Sequence, residues 1–373
     1  MNLRALRLRH FRNFAELELV FPPAGVAIIG ENGAGKTNLL EAICYLEIFR
    51  SFRGAPDEQL VRFGSEAFHL RGQLGEVEEG REVSAAFELR GKRKRVTVNG
   101  AEPQRIGDAL GQVGAVIFSP SDVSIVQGSP AERRRFLDIV LSLNSPGYLA
   151  ALQRYRQVLR HRNAALRAGQ SAAALSAWDD ALIETGARVV TTRAEWVARH
   201  STDYASYYAR ISNGLQGTLS YRSSLVRRAG DEITTESVAE VFRAELLRTS
   251  DRERDQGVTV VGPHRDDLGF HVASAHAPVE LRDFGSGGQV RTAAISLRLI
   301  EADSVRAART RDPLILLDDV FAELDQPRSQ RILELLETGQ PGQVILTAPK
   351  KSDLQVRGDR LEQWSIAAGE ISA

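Results

Sequence analysis

The stretch GENGAGKT combines residue types that bind phosphate groups. It consists of Gly30, Glu31, Asn32, Gly33, Ala34, Gly35, Lys36 and Thr37 and matches the pattern G-x-x-x-x-G-K-[ST]. Glycines let backbone N–H groups curl around a phosphate, and the helix that follows adds the positive end of its dipole. Lys36 is expected to reach the β- and γ-phosphates of ATP, and Thr37 to ligand Mg²⁺. The strand VAII before this stretch and the apolar stripe after it favour a phosphate-binding P-loop over a chance glycine-rich turn.

A second stretch, PLILLDDVFAELD, supplies the acidic groups that a P-loop requires beside its metal ion. Residues 314–317 predict a buried strand, and Asp318 at its end is the candidate Mg²⁺ ligand. Asp319 stands where it can act on an attacking water. The alternative is that these acids only make the end of a strand hydrophilic. Lys36, Asp318 and Asp319 are therefore the candidate catalytic residues.

The loop DFGSGGQVR, residues 283–291, is a third candidate for phosphate binding. Ser286 carries a hydroxyl, and Gly287 and Gly288 leave their backbone N–H groups accessible. Gln289 leads into a predicted helix whose N-terminus attracts anions. Because the P-loop already has its own donors, this loop is predicted to bind a phosphate that is held elsewhere.

Two kinds of region must position these residues. Alternating or β-branched segments predict strands in ALRLRHF, AELELVF, VAII, FHLRGQL, VSAAFELR, RKRVTVNG, VTVVG, PLILLDD and QVILTAP. Between them, Ser129, Pro130 and Glu132 form a capping box with a helix-start proline, and long amphipathic helices follow. The chain is therefore predicted to be α/β, with a head made of residues 1–124 and 251–373 and an inserted helical lobe, 125–250. The charged run TSDRERDQG is the predicted hinge.

Composition narrows the class of protein. No stretch among the 373 residues approaches the roughly 20 apolar residues of a membrane span, and the N-terminal segment lacks the apolar run of a secretory signal. The single cysteine, Cys44, excludes an internal disulfide and fits a reducing cytoplasm. Lys+Arg and Asp+Glu both number 48, so binding to nucleic acid would require a local basic patch.

Several basic clusters are candidates for such a patch. They are Lys92, Arg93, Lys94 and Arg95; Arg133, Arg134 and Arg135; and Arg50 with Arg53. Each cluster can also be a solvated face. No recognition-helix motif is present, so contact is expected through the phosphate backbone without base readout.

The run GPHRDDL brings His264, Arg265, Asp266 and Asp267 together. One histidine beside two acids is a weak ligand set for a metal ion. The pattern favours a structural ion-pair corner over a metal site.

The two nucleotide motifs and the S-G-G-Q loop follow the order that is typical of ABC-type ATPase heads, including those of SMC proteins. Further stretches resemble the RecF family: FRNF, RSFRG, FSPSDVSIVQGSPAERRRFLD, VGPHRDDL, DFGSGGQVRTAAISLRL and LLDDVFAELD. The resemblance spans nearly the whole chain. It implies an ABC-type P-loop ATPase head, with a mixed sheet core and an antiparallel β subdomain, plus an inserted all-helical lobe.

The resemblance also implies roles for residues and partners. ATP and Mg²⁺ are the expected cofactors, and Ser286 to Gln289 would cap the γ-phosphate of a second subunit, which makes the homodimer ATP-dependent. Asp325 would lie at the dimer seam, and Arg12 and Asn13 beside the base or ribose. The implied partners are single- and double-stranded DNA, gap junctions, RecO and RecR. Together they would load RecA during recombinational repair, replication and the SOS response.

The resemblance implies a weak ATPase that DNA stimulates, and two departures from the ABC pattern predict that its turnover is slow. The position after the metal-side aspartate is often Glu in these heads, whereas here it is Asp319. Thr347 stands where a switch histidine is usual.

Three alternatives remain open at this point. Another SMC-like repair head is disfavoured by the absence of a long heptad run and of a Cys-x-x-Cys hook. The subunit of an ABC transporter that binds nucleotide has a smaller helical insertion, and a nucleotide kinase has no use for the S-G-G-Q loop. Stimulation of the ATPase by DNA would separate the RecF-like interpretation from the transporter and the kinase.

Overall fold

A computed structural model describes residues 2–75, 80–226, 233–309, 311–338, 342–351 and 361–372. The chain divides into two compact units. The first comprises Met1–Asp122, Arg210–Ser212 and Leu297–Ala373, and the second comprises Val123–Ala209 and Asn213–Ser296. The two halves of the head therefore flank an inserted unit, which extends beyond residue 250 to Ser296.

Strands and helices alternate along the chain in the following order. The strands are β1 (Leu3–Phe11), β2 (Phe14–Val20), β3 (Gly25–Ile29), β4 (Ala67–Leu74), β5 (Arg81–Glu88), β6 (Arg93–Val98), β7 (Ala115–Phe118), β8 (Gly217–Arg222), β9 (Asp267–Val272), β10 (Val279–Glu280), β11 (Leu314–Asp318), β12 (Val344–Ala348), β13 (Glu362–Ala367) and β14 (Glu370–Ser372). The helices are α1 (Lys36–Ile48), α2 (Val123–Gln127), α3 (Pro130–Asn144), α4 (Tyr148–Arg167), α5 (Ala172–Ser212), α6 (Thr235–Gln256), α7 (Leu281–Phe284), α8 (Gly287–Arg309) and α9 (Gln326–Thr338).

The first unit contains a six-stranded mixed sheet in the order β14-β13-β3-β12-β11-β7. All neighbours from β13 to β7 run parallel, and only the edge strand β14 is antiparallel. The prediction that VAII forms a strand is confirmed, and this strand, β3, lies between β13 and β12 inside the sheet. Register places Thr347 opposite Asp318, so the carboxyl ends of β11 and β12 meet at one edge of the sheet.

The first unit also contains a five-stranded antiparallel sheet in the order β2-β1-β4-β5-β6. Alternate residues of β1, such as Leu6 and Leu8, are buried and join one hydrophobic core with the parallel strands. Helix α1 contributes the predicted stripe Leu39, Leu40, Ile43 and Leu46 to this core, all fully buried. Each such side chain stabilises the fold by about 1.5–3 kcal/mol, so the core anchors the helix that follows the P-loop.

The second unit consists of helices and a three-stranded sheet in the order β10-β9-β8. The predicted capping box is confirmed at α3, where the backbone N–H of Ser129 donates to Glu132 Oε2 at 2.7 Å. Helix α4 is amphipathic, as predicted: of Leu152, Tyr155, Leu159 and Leu166, which recur along one stripe, Leu159 is partly buried and the other three are buried. No helix of the described ranges has the length and apolar character that crossing a bilayer requires.

Two sequence expectations in this unit differ from the structure. Residues 249–256 of the predicted hinge are the last two turns of α6, because Glu253 points inward and pairs with Arg162 Nη1 at 2.7 Å. VTVVG is not a strand: side chains bind its backbone, with the Thr259 N–H donating to Asn163 Oδ1 at 2.8 Å. The strand in this region is β9, which pairs with β8 and so ties residues 267–272 to the second unit.

Candidate nucleotide-binding site

The P-loop needs glycine at two positions for steric reasons. Gly35 precedes α1 with a φ of +116°, and a Cβ there would lie 2.5 Å from Asn13 Nδ2. A Cβ on Gly30 would lie 2.4 Å from the carbonyl oxygen of Ile366. The loop is therefore pressed against its surroundings on one side and can keep its N–H groups for a ligand on the other.

Lys36 lies inside the curve of this loop. Its Nζ donates to the carbonyl oxygens of Gly30 at 2.8 Å and Glu31 at 3.2 Å, and it lies 3.5 Å from Asp319 Oδ2. The side chain is 4% exposed. The structure thus places one buried ammonium group between the P-loop and the acids that follow β11.

Thr37 and Asp318 are 281 residues apart in sequence and meet at the same site. The Thr37 hydroxyl donates to Asp318 Oδ1 at 2.8 Å. Burial raises the pKa of Asp318 to about 6; the hydrogen bond from Thr37 opposes this rise, and the neighbouring charge of Asp319 adds to it. Burial destabilises the charged form of this carboxylate, and a bound cation would stabilise it, which fits a metal-binding role.

These two side chains suit Mg²⁺, which usually takes one or two protein oxygens and completes its shell with waters and substrate phosphates. Thr37 and Asp318 would hold the ion, and it would neutralise charge on the β- and γ-phosphates. The hydroxyl and carboxylate oxygens already in contact at 2.8 Å have the right chemistry for it.

Binding of ATP in the presence of Mg²⁺ should weaken as the pH falls below about 6. The pKa of Asp318 is raised to about 6, so below that pH its carboxyl must lose a proton before it can ligate the ion. One proton released per ion bound gives about a tenfold loss of Mg²⁺ affinity per pH unit. Titrating ATP affinity against pH with Mg²⁺ and with EDTA checks this. A Mg²⁺ contribution that stays constant through pH 6 would contradict it.

Thr347 was noted in the sequence only as a departure from the usual histidine, but it is central to the site. Its hydroxyl lies 3.2 Å from Asp318 Oδ1 and 3.2 Å from Asp319 Oδ1, and it accepts the backbone N–H of Asp319 at 3.0 Å. Asp319 has a left-handed φ of +47°, which Asp tolerates better than most residues. Thr347 therefore holds both acids in place.

Replacing Thr347 with Val should lower kcat by about tenfold or more, because the acids lose a positioning contact. ATP affinity should change little, since the P-loop is untouched. The orphaned N–H of Asp319 should lower the free energy of unfolding by about 1–3 kcal/mol. Steady-state kinetics and denaturant unfolding measure the two effects, and Thr347→Ser, which keeps the hydroxyl, is the control. A Thr347→Val variant with wild-type kcat would rule out the positioning role.

Arg12 and Asn13 lie beside the P-loop. The Arg12 guanidinium is held by the buried Glu41, with Nε 2.8 Å from Oε2 and Nη2 3.0 Å from Oε1. Asn13 donates to the carbonyl of Ala34 at 3.2 Å and accepts from Asn38 at 2.8 Å. Their contact with the base or ribose stays a prediction.

The sequence analysis did not single out Glu41 or Asn38. An acid inside the apolar run LLEAI was the available signal for Glu41, since a fully buried acid requires a cationic partner. Arg53, a candidate for DNA contact, lies in the same network, 3.4 Å from Asn38 Oδ1 and 3.9 Å from Glu41 Oε2.

The S-G-G-Q loop forms the start of α8. The backbone N–H of Ser286 donates to Gln289 Oε1 at 2.9 Å, and the N–H of Gln289 donates to Ser286 Oγ at 3.3 Å. This reciprocal pair is a capping box. Ser286 and Gly287 are exposed, and Gly288 and Gln289 are partly exposed, so this helix end can be reached from solvent.

Asp325 is exposed and precedes α9. It accepts the backbone N–H of Arg328 at 2.9 Å, as a helix-capping residue does. Its place at a dimer seam stays a prediction.

The GPHRDDL corner is an ion-pair corner in the second unit, as the sequence predicted. Asp267 pairs with Arg133 at 2.6 Å, and Asp266 lies 3.7 Å from Arg193. His264 lies between the Tyr155 hydroxyl at 2.6 Å and the Thr259 carbonyl at 3.0 Å. Burial lowers the pKa of His264 to about 4, so the ring is neutral at physiological pH.

The basic clusters differ in solvent exposure and in pairing with acidic side chains. Arg133 is 1% exposed and bound to Asp267, so its candidacy for DNA contact must be corrected: it cannot reach a phosphate. Arg134 is half-buried, Arg50 is exposed, and Arg53 is 46% exposed.

In the cluster of residues 92–95, three of the four cations pair with acids. Lys92 pairs with Glu58 at 2.8 Å, Lys94 with Asp57 at 2.6 Å, and Arg95 with Glu102 at 2.5 Å. Arg93 is exposed and forms no ion pair within the described ranges. One unpaired cation provides little positive charge for binding DNA phosphates.

The fold and site together define the class of the protein. A P-loop between β3 and α1, an acid-ended parallel strand beside it and an antiparallel sheet in the same unit make an ABC-type ATPase head.

Comparisons with known proteins narrow this class. The family model described as RecF/RecN/SMC N terminal domain matches residues 2–367. The DNA replication and repair protein RecF of Salinibacter ruber is 36% identical over 363 residues, which cover 95% of this chain and 86% of that protein. This chain therefore belongs to the RecF family.

Solved structures agree with this assignment. The structure described as that of the recombination mediator protein RecF-ATP in the RecFOR pathway aligns with a TM-score of 0.88 at 30% identity, covering 99% of this chain and 96% of that one. An Smc head domain from Pyrococcus furiosus aligns with a TM-score of 0.55 at 14% identity, over 99% of this chain and 95% of that one. The second likeness supports the fold alone.

Proposed function

We propose that this protein is a cytoplasmic ATP-dependent DNA-binding ATPase of recombinational repair, in which ATP and Mg²⁺ drive homodimerisation on DNA. The observation that carries the proposal is the 2.8 Å contact between the Thr37 hydroxyl and Asp318. It joins the P-loop to the acid-ended strand, the arrangement that P-loop ATPases use to hold a metal and a triphosphate.

The dimer rests on the S-G-G-Q loop. Ser286 and Gly287 are exposed at the N-terminus of a 23-residue helix, and a Cβ on Gly287 would have no atom within 4 Å. Exposed N–H groups and the positive end of the helix dipole suit a phosphate that approaches from outside. In our proposal that phosphate is the γ-phosphate of ATP bound to a second copy, with Asp325 at the seam.

In our proposal, hydrolysis of ATP removes the γ-phosphate contact, and the dimer then dissociates. Lys36 stabilises charge on the γ-phosphate, Asp318 and Thr37 hold the metal side, and Asp319 acts on the attacking water. Asp is one methylene shorter than Glu, so its carboxylate reaches less far towards that water. We therefore propose that turnover is weak, and the RecF resemblance is the basis for proposing that DNA stimulates it.

The biological role is proposed from the family. The Salinibacter ruber relative is named a DNA replication and repair protein, and the aligned structure is described as a recombination mediator in the RecFOR pathway. We propose that this chain binds single- and double-stranded DNA and gap junctions, and that it acts with RecO and RecR to load RecA.

Contacts with DNA are proposed at exposed cations of the candidate clusters. Arg50, Arg53, Lys92, Arg93 and Arg95 are accessible on the first unit, and Arg134 is partly accessible on the second. Contacts of this kind bind backbone phosphates and give little sequence preference.

The test is the molar mass in solution of the Asp319→Asn variant, measured by light scattering without nucleotide, with ADP and with ATP–Mg²⁺, each with and without gapped DNA. The variant should hold ATP without cleaving it, so the mass should double only with ATP–Mg²⁺. A mass that stays monomeric in every condition would refute the nucleotide-switched dimer. Gapped DNA that neither binds nor promotes the dimer would refute the DNA role separately.

A further inference from the structure

The second unit contains a cavity of about 220 Å³ whose lining includes Arg134, a candidate for DNA contact. Residues of α3, α4, α5 and the GPHRDDL turn line it. Four of the lining residues are arginines: Arg134, Arg135, Arg156 and Arg193. A concave site with four guanidinium groups is a candidate for binding an anion.

Carboxylates balance part of this charge, and Asp266 lies 3.7 Å from Arg193. Asp138 is shared, since one of its oxygens accepts from Arg193 and the other from Arg156, each at 2.7 Å. Arg134 donates to the backbone carbonyl of Asp266 at 2.6 Å but has no carboxylate within ion-pair distance among the residues that the structure describes. Burial lowers the pKa of Arg134 and the positive charge of Arg193 lowers it further, while the charges of three nearby aspartates oppose the shift. The lining itself has four arginines and one acid, Asp138, so its positive charges outnumber its negative ones.

His264 forms part of the wall without adding charge. Its Nε2 donates to the Thr259 carbonyl at 3.0 Å, so its Nδ1 accepts from the Tyr155 hydroxyl at 2.6 Å. Both ring nitrogens are thus occupied, and neither is free to ligate a metal. Attraction for a ligand comes from the arginines alone.

The size of the cavity restricts the ligand. Pockets for whole small molecules measure about 300–1,000 Å³, so a cavity of about 220 Å³ accepts a group and not an entire nucleotide. An internal phosphodiester has two unesterified oxygens and a single negative charge, fewer than a terminal phosphate offers. A terminal phosphate has three acceptor oxygens, which suit several guanidinium forks better than the two oxygens of a carboxylate.

We propose that this arginine cavity binds a terminal phosphate group, carried either by the end of a nucleic-acid strand or by a free phosphate ion. The strand-end source rests on the DNA binding proposed above, whereas the free-ion source does not. An acidic side chain of a protein partner is the competing ligand, and it would overturn the proposal.

The first experiment compares two DNA duplexes that differ only in a terminal phosphate or hydroxyl. The wild-type chain should bind the phosphorylated duplex about tenfold more tightly, as expected for charge-assisted hydrogen bonds to one anionic group. Arg134→Gln and Arg156→Gln should each remove most of this preference. Arg243→Gln is the matched control, because Arg243 is exposed on α6 and does not line the cavity.

The second experiment measures the thermal midpoint with inorganic phosphate against chloride at equal ionic strength. It uses the Lys36→Met background, so that phosphate bound at the P-loop does not raise the thermal midpoint. A rise that Arg134→Gln and Arg156→Gln abolish and Arg243→Gln keeps supports the free ion as the ligand. This experiment tests whether the cavity binds phosphate even if the chain binds no DNA.

Two results would overturn the proposal. One is that both cavity variants behave like Arg243→Gln in both experiments. The other is stabilisation of the wild type by a glutamate-rich peptide but not by phosphate or phosphorylated DNA. Arg156 is 57% exposed, so Arg156→Gln should fold normally. It therefore keeps the test decisive if circular dichroism shows that Arg134→Gln does not fold.

Discussion

Replacing Lys36 with Met should weaken ATP binding about 100-fold and remove ATP-dependent dimerisation with it. The Lys36 ammonium lies 2.8 Å from the Gly30 carbonyl, inside the curve where phosphates would bind. Losing hydrogen bonds from a charged donor costs about 3 kcal/mol, which is about a 100-fold loss of ATP affinity. Equilibrium binding of ATP and molar mass by light scattering measure the two losses.

The matched control is Lys92→Met in the turn between β5 and β6, where the lysine is 74% exposed and pairs with Glu58. It removes the same charge and should leave ATP affinity and dimer mass unchanged. Circular dichroism should show both variants folded, because Met fills the space of the buried Lys36 stem. ATP affinity and dimer mass that survive in Lys36→Met would refute the P-loop assignment.

The sequence was informative where a short stretch determines its own conformation. Gly30 and Gly35 with Lys36 define a loop between a strand and a helix, and the structure has β3, loop and α1 in that order. Ser129 and Glu132 similarly specify the start of α3 through a local capping box. In each case the interacting groups lie within a few residues of each other.

Contacts between distant segments could not be read in the same way. Thr347 meets Asp318 because β11 and β12 are parallel neighbours in one register, and no local pattern states which strands pair. The segment VTVVG has β-branched residues suited to a strand, but Asn163 binds its backbone instead. Tertiary contacts overrode local propensity there.

Charge runs show the same limit. Arg133 and Arg134 are neighbours in sequence, yet Arg133 is buried against Asp267 while Arg134 lines a cavity. Lys94 is likewise paired with Asp57. Basic residues in a row suggest a surface for DNA, but partners remote in sequence decide which charges remain free.

Replacing Gln289 with Glu should prevent dimerisation while the monomer still binds ATP. Glu can accept the N–H of Ser286 as Gln289 Oε1 does at 2.9 Å, so the capping box and the start of α8 should persist. The new negative charge would face the partner's γ-phosphate in the proposed dimer. Like charges brought together at an interface cost several kcal/mol, enough to weaken the dimer by about 100-fold or more.

Gln289→Ala separates the two roles of this side chain. It removes the cap, which costs about 1 kcal/mol of stability, but adds no charge, so the dimer should weaken less than with Glu. Gln153→Glu, an exposed site on α4, controls for the change in net charge. Light scattering at saturating ATP, with the Asp319→Asn background to hold the nucleotide, ranks the variants. If Gln289→Glu dimerised as well as Gln153→Glu, the S-G-G-Q loop would not meet a phosphate of a second copy, because a carboxylate cannot share that helix end with an anion at no cost.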